Sequence, residues 1–166
     1  YESGDFATAL REWEPLAKQG NADAQSNLGF MYRDGDGVPQ DYKTALKWYK
    51  LAAEQGDADA QNNLGFMYNE GHGVPQDYKT AVKWYRLAAE QGDADAQSIL
   101  GAMYAIGQGV IRDYVYAHMW GNLGASNGNK NGGTARDIVA KQMTPAQIAD
   151  AQKLARECVR KKYKGC

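Results

Sequence analysis

Serine, histidine and cysteine are the residues from which covalent or acid–base chemistry would be built, and this chain has few of them. The serines are Ser3, Ser26, Ser98 and Ser126. None is followed three residues later by lysine, and none stands in Gly-x-Ser-x-Gly, so neither serine-nucleophile pattern is present. The histidines, His72 and His118, lie far apart and form no His-Glu-x-x-His. The cysteines, Cys158 and Cys166, have no further soft ligands nearby, which argues against a metal site. Gly-x-Gly occurs at 35–37, 71–73 and 107–109 without the third glycine of a dinucleotide fingerprint or the lysine of a P-loop. Asp34 and Asp36 flank Gly35 as in a calcium loop, yet the remaining ligands of an EF-hand are missing. These absences point away from an enzyme and from any cofactor or metal. His72 reads as a solvated loop residue, and His118, beside Tyr114 and Trp120, as partly packed.

The same residues recur in phase, and this phase reveals the elements that carry them. Residues 21–56 and 57–92 are identical at 29 of 36 positions. A third copy from Asp93 keeps Leu100, Gly101, Tyr104, Gly107, Gly109, Val110, Asp113, Tyr114, Ala117 and Trp120 in frame. Residues 4–20 match the second half of a repeat. Such a period is the mark of a repeat architecture. In the first copy Ala24, Leu28 and Tyr32 are four apart, the spacing of one helix face. The next stretch, DGDGVPQD, reads as a loop, since Pro39 cannot continue the preceding helix. Asp41 and Asp77 stand where N-caps belong, and the second helix runs near Tyr42–Gln55 with Ala45, Trp48 or Tyr49, and Ala52 inward. Gly56 and Gly92 stop it. Gly29 and Gly65, in mid-helix at a cost of up to ~1 kcal/mol, imply helices crossing too closely for a Cβ. Trp13, Trp48, Trp84 and Trp120 read as core because they recur at the repeat spacing.

LGFMYRDGDGVPQDYKTALKWYKLAAEQG resembles the Sel1-like repeat, a relative of the tetratricopeptide repeat. The resemblance rests on Leu-Gly-x-x-Tyr, Gly-x-Gly-Val, Asp-Tyr, Ala-x-x-Trp-Tyr and Ala-Ala-x-x-Gly, and covers roughly residues 4–126. It implies an all-α fold, a right-handed α/α superhelix (solenoid) of helical hairpins whose shared core comes from stacking. The expected layout is repeats over 1–126 (a partial one at 1–20, then 21–56, 57–92 and 93–126). A linker and a C-terminal capping helix follow over 127–166 in the same domain. The implied function is a scaffold or adaptor that binds an unidentified protein or peptide on its concave face, with no nucleic-acid partner. The chain itself would be monomeric. The first helices would supply Asp23, Ser26, Asn27, Phe30 and Arg33, then Asp59, Asn62, Asn63, Phe66 and Asn69, then Asp95, Ser98, Ala102 and Ala105. Related repeats use asparagine at the positions of Asn27 and Asn63 to hold an extended peptide's backbone, and one amide can both donate and accept. Ile99 interrupts that row. The alternative is that Asn27 and Asn63 bridge adjacent helices, and that Phe30 and Phe66 pack between repeats. A second functional reading is weak β-lactam binding or hydrolysis in the cell envelope; a third is a self-associating spacer.

Residues 121–134, GNLGASNGNKNGGT, read as loop or linker. Thr144-Pro145 then looks like the start of a last helix, with Ile148, Ala151, Leu154, Ala155 and Cys158 on one face. Some secreted members of the family's cysteine-rich branch lock hairpins with cysteine pairs, so the resemblance implies a Cys158–Cys166 disulfide. It also implies a periplasmic or secreted bacterial protein whose signal peptide has been removed. Two free thiols in a cytoplasmic protein are the alternative. The chain begins at Tyr1 rather than Met, as a trimmed or processed product would. Charge is unevenly placed: residues 1–126 carry 10 basic and 17 acidic side chains, and 127–166 carry 9 and 3. An acidic repeat region disfavours a nucleic-acid groove. The basic end suits a helix C-terminus or a docking patch for an acidic partner.

Overall fold

The computed structural model describes residues 6–166. The first five residues, with the start of the partial repeat and Ser3, lie outside the described ones. The described residues form nine helices and no strand. These are α1 (Phe6–Lys18), α2 (Ala22–Asp34), α3 (Tyr42–Glu54), α4 (Ala58–Glu70) and α5 (Tyr78–Ala89), followed by α6 (Ala94–Ile106), α7 (Tyr114–Ser126), α8 (Lys130–Ala140) and α9 (Pro145–Arg160). None is long and apolar enough to cross a membrane. The chain forms two compact units, one ending at Gln76 and the other beginning at Asp77.

The helix boundaries follow from local chemistry. Asn21, Asp57 and Asp93 cap α2, α4 and α6, each side chain accepting from the backbone N–H three residues on. Asp41 and Asp77 cap α3 and α5 and also accept from the hydroxyls of Thr44 and Thr80. Those hydroxyl bonds, with the backbone N–H donors, hold both carboxyls below the ordinary aspartate range.

In the first unit, α2 lies between α1 and α3, and α4 packs on α3. Ala17, Ala24, Leu28 and Met31 form a buried cluster with Trp13 and Trp48 packed half-buried against it. The fully buried aromatic of α3 is Tyr49, and Tyr85 holds the same place in α5. Of the four tryptophans only Trp120 is fully enclosed, so the recurring tyrosine carries more of the core than the recurring tryptophan. Gly29 answers the question of its cost: a Cβ there would sit 2.6 Å from Cε1 of Tyr49. The mid-helix glycine makes room for that ring. Gly73, the second glycine of its Gly-x-Gly loop, has φ +73°. Its imagined Cβ would lie 2.7 Å from the carbonyl of Tyr42, so the loop rests directly on the first turn of α3.

A buried glutamine near the start of each first helix reaches back eight residues. Gln25 donates to the carbonyl of Ala17, Gln61 to Ala53 and Gln97 to Ala89, at 3.0–3.1 Å. These amides staple the last turn of one helix to the next helix. Gln55 donates to the oxygen of Gln25, and Asn127 to that of Gln97.

In the second unit, α7 packs against α6, α8 and α9. Here the linker expectation is corrected. Residues 121–126 complete α7, residues 130–134 begin α8, and only 127–129 form a turn. The glycines that suggested a linker serve close helix contact instead. A Cβ on Gly121 would lie 2.9 Å from the carbonyl of Gly132, and Gly124 and Gly132 both face the Ser98 hydroxyl. The last helix begins as its sequence indicates, with a Thr144–Gln147 capping box and Pro145 in the first turn. Ala151, Ala155 and Cys158 are buried. After it the chain turns through positive φ at Lys162 and Tyr163. The sulfurs of Cys158 and Cys166 then lie at bonding distance, with Cα atoms 5.6 Å apart. The Tyr163 hydroxyl donates to Asn127 Oδ1 at 3.1 Å.

Candidate peptide-binding face

In the first unit, α2 and α4 bring most of the expected site residues together. Arg33, in the last turn of α2, donates through Nη1 to Oδ1 of Asn63 on α4. Its Nε and Nη2 grip the carboxylate of Asp34 at 2.6 and 2.7 Å. Those bonds hold the guanidinium firmly in its charged form. The same guanidinium lies 4.7 Å from the centroid of the Phe30 ring. Phe30 meets the buried Tyr49 edge-on at 5.6 Å. Burial pushes the Tyr49 phenol well above its ordinary value, so the ring stays neutral.

Asn63 is engaged on both sides of its amide, because Nδ2 also donates to the Asp59 carbonyl at 2.7 Å. Of the two expectations for this side chain, the helix-bridging one describes its bonds. Asn27 and Asn62 are half-buried on the same two helices. Asn69 donates to Glu70 Oε1 at 2.6 Å, while its carbonyl accepts from Gln76.

Phe66 is 38% exposed. It is steadied from one side by His72, which it meets edge-on at 5.5 Å. His72 in turn stacks flat on Tyr42, with centroids 4.4 Å apart and planes 9° apart. His72 is therefore half-buried in an aromatic row rather than solvated. The missed signal was Gly73: a loop glycine that lets the backbone touch Tyr42 also sets the neighbouring side chain on that ring.

The corresponding positions of the second unit differ. Ser98 is 7% exposed, and its hydroxyl donates to the Ala94 carbonyl beneath Gly124 and Gly132. It is enclosed, not open to a partner, because α7 and α8 cover it. Ala102 is exposed but offers only a methyl group, and Ala105 is half-buried. Asp95 accepts from Asn129. An arginine–aromatic arrangement does recur, built from other residues: Arg86 donates to the Tyr104 hydroxyl, and Tyr104 stacks on Tyr116 at 5.3 Å. His118 is buried, and burial, with Arg136 adding to it, lowers its pKa. Among the described residues no three histidine, cysteine or carboxylate side chains gather as metal ligands.

Comparison with known proteins places this architecture. The protective antigen c5321 of uropathogenic Escherichia coli, whose crystal structure displays an SLR fold, superposes with a TM-score of 0.88 at 35% identity. That match covers 95% of this chain but 35% of the antigen, so the chain spans about a third of that protein. A Sel1 repeat protein from Oxalobacter formigenes matches with a TM-score of 0.71 at 36% identity, over 78% of this chain and 97% of that one. No protein of curated function matches. Three consecutive segments, 22–57, 58–93 and 94–129, match the Sel1 repeat. The helical hairpins and these matches agree, and the chain belongs to the Sel1-repeat family.

Proposed function

We propose that the chain is a protein-binding scaffold, and that the α2–α4 face of its first unit holds an extended segment of a partner protein. The family supports the general role, since Sel1 repeats serve protein interaction. One observation carries the particular face: Phe66 keeps 38% of its surface exposed while His72 and Tyr42 fix it from behind. A pre-placed aromatic ring loses little freedom on binding, which is what an anchor residue requires. Phe30 and Arg33 provide a second ring and a cation one repeat earlier. Asn27, Asn62 and Asn69 offer polar atoms beside them, and Asn63 orients Arg33. In the second unit Ala102 replaces the ring, so the reading rests on the first unit. The Cys158–Cys166 pairing fits a periplasmic or secreted setting, and a monomer is the expected assembly.

The experiment is affinity capture from extracts of the native host, comparing the protein with Phe66→Ala and with Phe30→Ala/Phe66→Ala. A specific partner identified by mass spectrometry should be retained by the native protein and lost with the double variant, while the Phe66→Ala melting curve stays near native. Equal capture by all three proteins refutes the role of this face.

A further inference from the structure

A cleft of about 640 Å³ lies between α7 and α9 of the second unit. From α7 it is lined by Asn122, Leu123 and Ser126, and from α9 by Ala155, Arg156, Val159 and Arg160. Leu123 and Ala155 are buried at its floor, and Val159 leaves half of its surface exposed beside them. The two arginines are one helical turn apart on α9. Arg156 has no ion-pair partner among the described residues, and Arg160 reaches Glu157 only at 3.9 Å. On the α7 side, Asn122 Oδ1 accepts from Arg136, whose charge is shared with Asp137.

We infer that this cleft binds an extended acidic peptide segment with carboxylates spaced two residues apart and an apolar side chain two residues beyond them. Charge complementarity sets the sign of the ligand: residues 127–166 hold 9 basic and 3 acidic side chains. Geometry sets its form. Arg156 and Arg160 are separated by about 6 Å along the helix axis. Alternate residues of an extended chain are about 6.7 Å apart and point the same way. Two carboxylates of an acid-x-acid stretch can therefore each meet one guanidinium fork. An apolar residue two positions beyond them points the same way and covers Leu123, Ala155 and Val159. Among the described residues no aromatic ring lines the cleft to stack a base, which disfavours a nucleic acid. The cleft is also open along one side, whereas a small amphiphile is ordinarily enclosed over most of its surface.

The test is fluorescence anisotropy with a fluorescein-labelled peptide that carries two aspartates and a leucine at alternate positions with serine between them, and with its lysine counterpart, at low and high salt. The aspartate peptide should bind saturably, and the lysine peptide should not. Arg156→Glu/Arg160→Glu should weaken binding about tenfold or more. Lys161→Glu/Lys162→Glu, the same change of charge outside the cleft, should weaken it about threefold or less. Val159→Asp, at an exposed position, should also weaken binding, and it keeps the test decisive if the arginine variant melts early. Equal losses in the two double variants, equal binding of the lysine peptide, or no saturable binding would each overturn the inference. So would displacement of the peptide by laurate at lower concentration than by unlabelled peptide.

Discussion

The contact between Gly73 and the first turn of α3 can be isolated by comparing two glycine-to-alanine substitutions. Gly56 and Gly73 both have positive φ, +98° and +73°. Each alanine would carry a left-handed penalty of about 1–2 kcal/mol, reduced by about 0.4–1 kcal/mol because alanine also restricts the unfolded chain. At Gly56 nothing lies within 4 Å of the new Cβ, so the balance is about 0–1.6 kcal/mol. At Gly73 the Cβ would stand 2.7 Å from the Tyr42 carbonyl and 2.9 Å from the Lys43 nitrogen. Those are backbone atoms, which cannot swing aside as a side-chain end can. Overpacking of this kind adds about 1–3 kcal/mol, bringing Gly73→Ala to about 1–4.6 kcal/mol. For a chain of 166 residues, about 1 kcal/mol corresponds to roughly 3 °C in melting temperature. Gly56→Ala should therefore cost a few degrees at most and Gly73→Ala several degrees more. Urea unfolding followed by circular dichroism gives the free energies. Near-ultraviolet circular dichroism reports whether the His72–Tyr42 stack is disturbed by Gly73→Ala alone. If the two variants are equally stable, the loop does not rest on α3 and the account of why Phe66 is held in place fails with it.

Intact-mass measurement should find the native protein two hydrogens lighter than its reduced form. Cys166→Ser should destabilise the second unit by about 2–3 kcal/mol, the loop-closure value for about nine residues, and an unchanged melt would show that the closed tail adds nothing. His118 has its pKa lowered by burial, so above pH 6.5 both folded and unfolded forms are neutral and its contribution is complete. As the pH falls below that value the unfolded chain takes the proton first. Stability should therefore decline through the window below pH 6.5, and His118→Gln should flatten the decline in melts recorded from pH 7.5 to 5. Gln97→Leu strands the buried Ala89 carbonyl and releases the exposed Asn127 amide to water, and should cost about 1–3 kcal/mol; a loss below about 0.5 kcal/mol in urea unfolding would mean that the staple is dispensable.

The helix frame was legible because the copies reinforce one another. Asp41 and Asp77 mark helix starts twice over, and the Thr144-Pro145 start needs no neighbour to be read. Tertiary contacts were harder to read. Residues 121–134 looked like a linker because glycine at a helix crossing and glycine in a loop are the same letter. Only the position of α8 against α7 shows that Gly121, Gly124 and Gly132 are there for lack of a Cβ. The tryptophans were overrated for a similar reason, since a period of 36 says that a residue is structural but not how far it is enclosed. At the candidate face the sequence located Phe30, Arg33, Asn63 and Phe66 on the correct helices. It left open what Asn63 does, because that depends on whether Arg33 reaches across. Ser98 shares its register with Ser26 and Asn62: both serines are buried against the open-face expectation, while the longer asparagine keeps part of its surface exposed.

The glutamine staples bear on how such a chain grows. Each reaches back by the same eight residues, and Gln25, Gln61 and Gln97 recur every 36. A duplicated 36-residue block thus arrives with the fastener for its own junction already inside it. Lengthening by whole blocks demands no compensating change elsewhere, whereas losing part of a block leaves a main-chain oxygen stranded in the interior. Selection would then favour array lengths that change in complete steps, with fragments surviving only at the ends.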